Sequence, residues 1–389
     1  MPYEWFLLVA TVALAIVPAL SANAVVRELN AVVLAAASML AFLVLAGGPE
    51  SLALSMGGIS AALGAFVGGL VRNVPVLRPT HAMTAQGRRT LASVLWGVLA
   101  AGAVLVVVVP LLLHADRNFG SALDHLFGWL DDEWWVWRVV RFLVVALATF
   151  SLLYGVAHAQ EAHRVTEGAH VLRPANTVAL TTMLAALDAV YLIFVVVQFQ
   201  ELFGGSSIVD ATGAYASYAR QGFFELVGVS AINLAVALAC VWRLHTGKRP
   251  IILLVLQCGL LAAIAVMLAS SALRMGLYVE RYGLTMLRAL TYVGMASILM
   301  LGILTAVRLF RPRFRLYRWS LAALLVIWLA FGLSVPAARI AEFDVNGYLN
   351  GSIEEIDVDY LYDLGSDAAD ALDHLAEERP GQTAFDAAT

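Results

Sequence analysis

The sequence predicts an all-α, polytopic helical membrane protein of about ten transmembrane helices, followed by a short acidic C-terminal tail. Three observations predict it. Of 389 residues, 61% are apolar and 13% charged, whereas a soluble domain carries about 25% charged residues. Apolar runs of about 20 residues follow one another, each long enough to cross ~30 Å of hydrocarbon at ~1.5 Å per residue. After the last run, residues 338–389 hold 13 acidic side chains and two arginines. A β-barrel would show short alternating segments instead. The chain therefore divides into a helical bundle, 1–337, and an acidic extracytoplasmic tail, 338–389, partly helical and disordered from Pro380 onward.

The spans are expected near 5–22, 31–47, 52–71, 91–113, 136–157, 177–203, 221–244, 251–273, 284–308 and 319–337. The first resembles a signal peptide, with Ala22-Asn23-Ala24 as a cleavage site. No Lys or Arg precedes it and Glu4 does, so it lacks a positive n-region and reads as a retained helix. Orientation follows from basic residues in the loops. Of 24 Lys and Arg, fifteen adjoin loops after odd-numbered spans, among them Arg72, Arg78, Arg88, Arg89, Arg308, Arg311, Arg313, Arg315 and Arg318. Six lie on the other side and three fall within spans. That places the first set in the cytoplasm and both termini outside.

Residues 119–131 carry Phe119, Leu123, Leu126, Phe127 and Leu130 at helical spacing, with Trp129, Trp134, Trp135 and Trp137 after them. This reads as an interfacial helix ending in an aromatic belt. Gly57, Gly58, Gly64, Gly68 and Gly69 suggest close helix packing. His158, Glu161, His163, Glu167 and His170 lack the spacing of a zincin helix, so no metal and no cofactor are expected. Cys240 and Cys258 lie in apolar runs and read as small hydrophobes rather than a disulfide. Basic cytoplasmic loops are what topology demands, so no nucleic-acid partner is implied. In the tail, Leu361, Leu364, Ala368, Ala371 and Leu375 make an apolar stripe over 357–378. The tail is too short for its own core and is expected to dock on the outer face or stay mobile.

The candidate site residues are the polar ones within or at the ends of the spans. Asp188 lies mid-span, where an ionised carboxylate costs about 2.5–3.5 kcal/mol on insertion scales. Thr181 shares its face, and Tyr191 and Gln198 extend the polar stripe toward Glu201. One reading is a structural Asp bonded to neighbouring helices; the other is a proton or ligand site. The seventh span brings Arg220 and Glu225, with Asn233 deeper. The eighth ends in Arg274, Tyr278 and Arg281, with Glu280 between; Gly283 breaks the helix, and Arg288 opens the ninth. Three carboxylates and four guanidiniums thus gather at the outer end. They read either as an ion-pair lattice or as an anion site for a lipid head group, phosphate or carboxylate.

Three stretches taken together carry a resemblance. They are Val197-Gln198 through Leu202-Phe203-Gly204-Gly205; Tyr218-Ala219-Arg220-Gln221-Gly222-Phe223-Phe224-Glu225-Leu226 with Asn233; and Arg274-Met275-Gly276-Leu277-Tyr278 through Tyr282-Gly283-Leu284-Thr285 and Leu287-Arg288. The chain resembles a bacterial multi-pass membrane family catalogued as a domain of unknown function, the 4153/4173 group. Asp357, Asp359-Tyr360-Leu361 and Ser366-Asp367-Ala368 extend the likeness, which covers roughly 175–375. Where the family usually has Asn shortly after the last span, Asp344 stands here. The resemblance implies a bacterial inner membrane and supplies no activity.

Three functions compete. A transporter, or a lipid- or anion-handling permease, would use the Asp188 stripe as a path and the outer arginines as a site. It predicts a cavity joining the two. A non-catalytic sensor or partner protein would use the acidic tail as its contact surface. A membrane-embedded enzyme on a lipid-linked substrate would use Glu225 or Glu280 as base. The first is the expectation; the expected partners are the bilayer, an anionic lipid or small anion, and a protein at the tail.

Overall fold

The structure is a computed structural model that describes residues 2–47, part of 93–113, and residues 177–203, 215–243, 250–353 and 356–378. Within these, 2–4, 42–47, 198–203, 215–222 and 242–243 are described by backbone alone. Every regular element among the described residues is a helix. In order these are α1 (Pro2–Leu20), α2 (Ala24–Gly47), α3 (Thr177–Phe203), α4 (Tyr215–Arg243), α5 (Ile251–Tyr282), α6 (Met286–Phe310), α7 (Leu316–Leu333), α8 (Pro336–Leu349), α9 (Val358–Asp363), a single 3₁₀ turn (Ser366–Ala368) and α10 (Ala369–Glu378). Among the described residues six helices, α2 to α7, are long and apolar enough to cross a membrane; α1 is apolar but shorter. The expected spans at 52–71 and 136–157, the helix at 119–131 with its tryptophans, the His158–His170 loop and the tail beyond 378 lie outside the described residues.

The apolar surface supports the class. Ile251, Val32, Leu192, Leu287 and Phe310 are all exposed, the reverse of a soluble fold, which seldom shows a continuous apolar patch. Inside, α3, α4 and α5 share a core with Leu184, Leu187, Tyr191, Phe194, Leu226, Val229, Leu253 and Leu260. The described residues of 93–113 add Val108 and Leu112 to it. A second core joins α1, α2 and α7 through Leu7, Leu14, Ala37 and Leu325. Here both polar atoms of buried Asn30 on α2 are engaged: its amide nitrogen donates to the Leu14 carbonyl at 2.8 Å and its oxygen accepts from Trp328 Nε1 at 3.1 Å. One side chain thus ties three helices together in a setting where unmade hydrogen bonds are costly.

Boundaries differ from expectation where capping decides them. α2 starts at Ala24, seven residues earlier than expected, because Asn23 Oδ1 accepts from Val26 N at 3.3 Å and starts the helix. α7 stops at Leu333 rather than 337, because Val335 is left-handed at φ 49° and Pro336 opens the next helix. Pro at N1 suits a new helix and cannot continue an old one. The tail docks. Its helix is not continuous, since Gly365 (φ 85°) breaks it, but Leu361, Leu364, Ala368 and Leu375 are all buried as the stripe predicts. They pack with Val17, Val26 and Met286, that is, against the α1–α2 turn and the start of α6.

That docking bears on the topology. Asp367 accepts from Ser21 Oγ at 2.9 Å and from the Ala22 amide at 2.9–3.0 Å. Gly332, at the end of α7, faces Val17, at the end of α1. So α1 and α7 run in the same direction, and the Pro2 end of α1 lies on the face opposite the tail. The expectation of both termini on one face rests on an even count of ten spans, whereas parallel α1 and α7 would go with an odd number if α1 also crosses. Charge counting reads each loop's side only through the number of spans before it, and a miscount by one reverses every element beyond.

Candidate functional site

The charged stretch 274–288 takes the form its glycine predicts. α5 runs unbroken for 32 residues, about 48 Å, so its last turns project past the ~30 Å hydrocarbon layer. It stops at Gly283, with φ 74° and ψ 177°, a conformation open essentially to glycine only. Thr285 caps α6, its hydroxyl accepting from Arg288 N at 3.4 Å.

Three side chains hold this break. Asp344, on α8, accepts from Leu284 N at 2.6 Å. Tyr360, on α9, accepts from Met286 N at 2.7 Å. The Arg288 guanidinium donates to the Tyr282 carbonyl at 3.0 Å and also to the Gly283 carbonyl. The backbone groups freed by breaking a helix are thus taken up by the tail and by one arginine, as buried polar groups require. Asp344 is 7% exposed. Burial raises its pKa to about 6, against the opposing pull of the Leu284 amide and the nearby Arg288 charge. Burial likewise raises the Tyr360 phenol.

Asp344 and Tyr360 are absent from the sequence-derived site. Tyr360 stands in one of the family-like stretches, and Asp344 stands out as an acid beside the last span. Neither spacing nor periodicity links them to residues 60 and 74 positions earlier.

Arg288 has a second aspect. Its guanidinium lies over the Tyr278 ring, 4.5 Å from the centroid, within cation–π range. Both residues line a groove of about 190 Å³ between α4, α5 and α6. Phe223, Phe224, Met275, Thr285, Leu287 and Thr291 complete it. Phe223 and Phe224 meet edge to face at 5.0 Å, and Phe224 and Leu287 are exposed. A drug-sized ligand needs roughly 300–1,000 Å³, so this groove suits one head group or a short length of chain. Its chemistry is an aromatic wall with one cation at the inner edge.

The other charges expected at this end of the bundle do not all converge. Arg274 is buried and engaged by its neighbours; Arg281 is exposed and also engaged. Glu280 is exposed and makes no ion pair among the described residues. Glu225 has one buried carboxylate oxygen without a partner. The side chains of Gln198, Glu201 and Arg220 lie outside the described residues. For Arg288 the expected carboxylate partner is replaced by backbone carbonyls and a ring. Among the described residues, a carboxylate reaches it at longer range, from Asp344 on the tail.

The mid-span residues form a separate place. Tyr191 donates to Asn233 Oδ1 at 2.5 Å, joining α3 to α4. Asp188, one turn earlier on α3, packs against Gly259 of α5, where an added Cβ would sit 3.1 Å from Asp188 Oδ2. Asp188 Oδ1, Asn233 Nδ2 and Gln257 Nε2 are buried without partners. Cys240 lies beside Gln257, and both cysteines are free thiols. The groove's lining does not include Asp188. No group of three or more metal-ligating side chains occurs among the described residues.

Apolar helices with lipid-exposed faces, a glycine break and a docked tail define an α-helical integral membrane protein. The chain belongs to the family described as Domain of unknown function (DUF4153), whose model matches residues 8–375. The match takes in α1 and α2 as well as the region that carried the resemblance. No curated protein and no solved structure matches the chain.

Proposed function

We propose that the protein is a lipid- or anion-handling membrane protein whose outer groove takes the head group of an anionic amphiphile. The observation that carries this is Arg288, a cation set over an aromatic ring in an apolar groove that opens beside exposed Phe224 and Leu287. A guanidinium pairs well with phosphate or carboxylate, and the phenylalanines supply an apolar wall for the first carbons of the attached chain. The exposed Arg311, Arg313 and Arg315 at the α6–α7 turn lie opposite the tail. The positive-inside rule then sets that face in the cytoplasm of a bacterial inner membrane and the tail outside. A permease cycle would have to connect the groove to the mid-span residues by helix movement.

The test is native mass spectrometry of the chain extracted with its own membrane lipids. One anionic lipid per chain is expected on the wild type. It should be lost in Arg288→Gln and weakened in Phe224→Trp, which narrows the groove without touching the helix break. Equal lipid retention in all three, or no enrichment of anionic lipid, overturns the reading.

A second reading rests on the docked tail. Asp357, Asp359, Asp363, Asp370, Asp373, Glu377 and Glu378 are exposed on it and form an acidic surface for a basic extracytoplasmic protein. In that case the groove is incidental, and deleting the tail's charges would matter more than Arg288→Gln.

A further inference from the structure

We propose that Asp188 is an exchangeable proton-binding site in the middle of the membrane, at the contact between α3 and α5. It stands on observations separate from the outer groove. Asp188 lies 11 residues into α3, about 16 Å along its axis and so near the midplane of a ~30 Å layer. Its carboxyl group makes no hydrogen bond or ion pair among the described residues, and Oδ1 is buried. Gly259 provides the space: any larger residue there would press a Cβ on the carboxyl group. Natural membrane proteins keep such a group when it has a task, because an unpaired charge at that depth is costly.

Every element packed around Asp188 bears on this. On α3 its neighbour is Tyr191, whose hydrogen is already given to Asn233. On α4 the partner of Tyr191 is Asn233, 0% exposed, whose Oδ1 accepts from Tyr191 and whose Nδ2 is an unpartnered donor. The titratable group further out on α4 is Glu225, eight residues away, about 12 Å. On α5 the neighbour of Gly259 is Cys258, a free thiol. The first cation on α5 is Arg274, fifteen residues beyond Gly259, about 22 Å. The described residues of 93–113 include no titratable side chain. Among the described residues, therefore, no cation stands ready to balance the carboxylate. A hard metal ion would need several oxygen ligands, whereas the unpartnered buried atoms of the described side chains Asn233 and Gln257 are N–H donors. A proton needs Asp188 alone.

The experiment uses dicyclohexylcarbodiimide, an apolar reagent that adds to a carboxylic acid within the bilayer and not to a carboxylate. The full chain in proteoliposomes is treated across acidic to alkaline pH, and the adduct on the Asp188 peptide is measured by mass spectrometry. Labelling is expected at low pH. It should fall about tenfold per pH unit above a midpoint, as a single titrating site does, and be absent from that peptide in Asp188→Asn. Sodium at constant pH should leave the yield unchanged. A yield independent of pH would mean a permanently protonated structural acid and would overturn the proposal. So would protection by sodium, or no labelling at any pH. None of these outcomes depends on lipid retention at Arg288.

Discussion

Replacing Asp344 by Asn is expected to tighten the docking of the tail at neutral pH, although it removes a buried side chain's charge. The carboxylate accepts the Leu284 amide at 2.6 Å, and an asparagine carbonyl can do the same. What differs is the charge. Asp344 has a pKa of about 6 in the docked state against 3.8 when free. The docked state therefore binds the proton more tightly than the undocked one. Docking is strongest below the free value, weakens as pH rises from about 4 to about 6, and is level above that.

Burial opposes the charged form more than the Leu284 amide and Arg288 favour it. Two pH units would correspond to almost 3 kcal/mol at full weight. Allowing for solvent screening of a group near the surface, about 1–2 kcal/mol is expected. Asn should recover that at neutral pH and abolish the pH dependence in this window. Asp344→Ala should instead leave the Leu284 N–H unpaired and cost about 1–3 kcal/mol. Hydrogen exchange of the amides in 358–378, corrected for intrinsic pH dependence, reads the difference as a roughly 5- to 30-fold change in protection for 1–2 kcal/mol. Weaker protection in Asp344→Asn than in the wild type at neutral pH would refute the reasoning, as would wild-type docking that loosens on acidification.

Gly283→Ala should destabilise the break by at least about 1–3 kcal/mol from backbone strain alone. The new Cβ would also lie 2.7 Å from Asp344 Oδ1, so the loss should exceed that of Gly294→Ala, where the added Cβ meets open space; thermal unfolding in detergent compares the two. For topology, alkaline phosphatase fused after residue 389 should be active and a phosphatase fused before residue 1 inactive. Activity at both ends would restore the even span count and contradict the parallel packing of α1 and α7.

The membrane class was legible in the sequence because lipid solvates side chains one at a time. A run of about 20 apolar residues needs no partner to declare itself. The glycine break was legible for a similar reason: Gly283 between two apolar helices, with Thr285 two residues on, is a local signal. So was the tail's apolar stripe, since Leu361, Leu364, Ala368 and Leu375 keep helical spacing even across the Gly365 kink. Tyr278 and Arg288, both candidates from the sequence, do meet in one groove.

Partnership was not legible. Charge alone matches Arg288 to nearby acids, yet among the described residues its close contacts are backbone carbonyls and a tyrosine ring. Asp344 and Tyr360 come to the break from 60 and 74 residues away, brought there by the apolar packing of Ile340, Val345 and Leu361 against Met286. Direction was not legible either, since the face on which α1 ends shows only when Asp367 reaches Ser21 and Ala22. The sequence by itself determined which segments belong in lipid and where the chain must turn, because those depend on local composition and backbone freedom. Only the tertiary structure decided which polar groups satisfy one another, because that depends on which helix ends share a face.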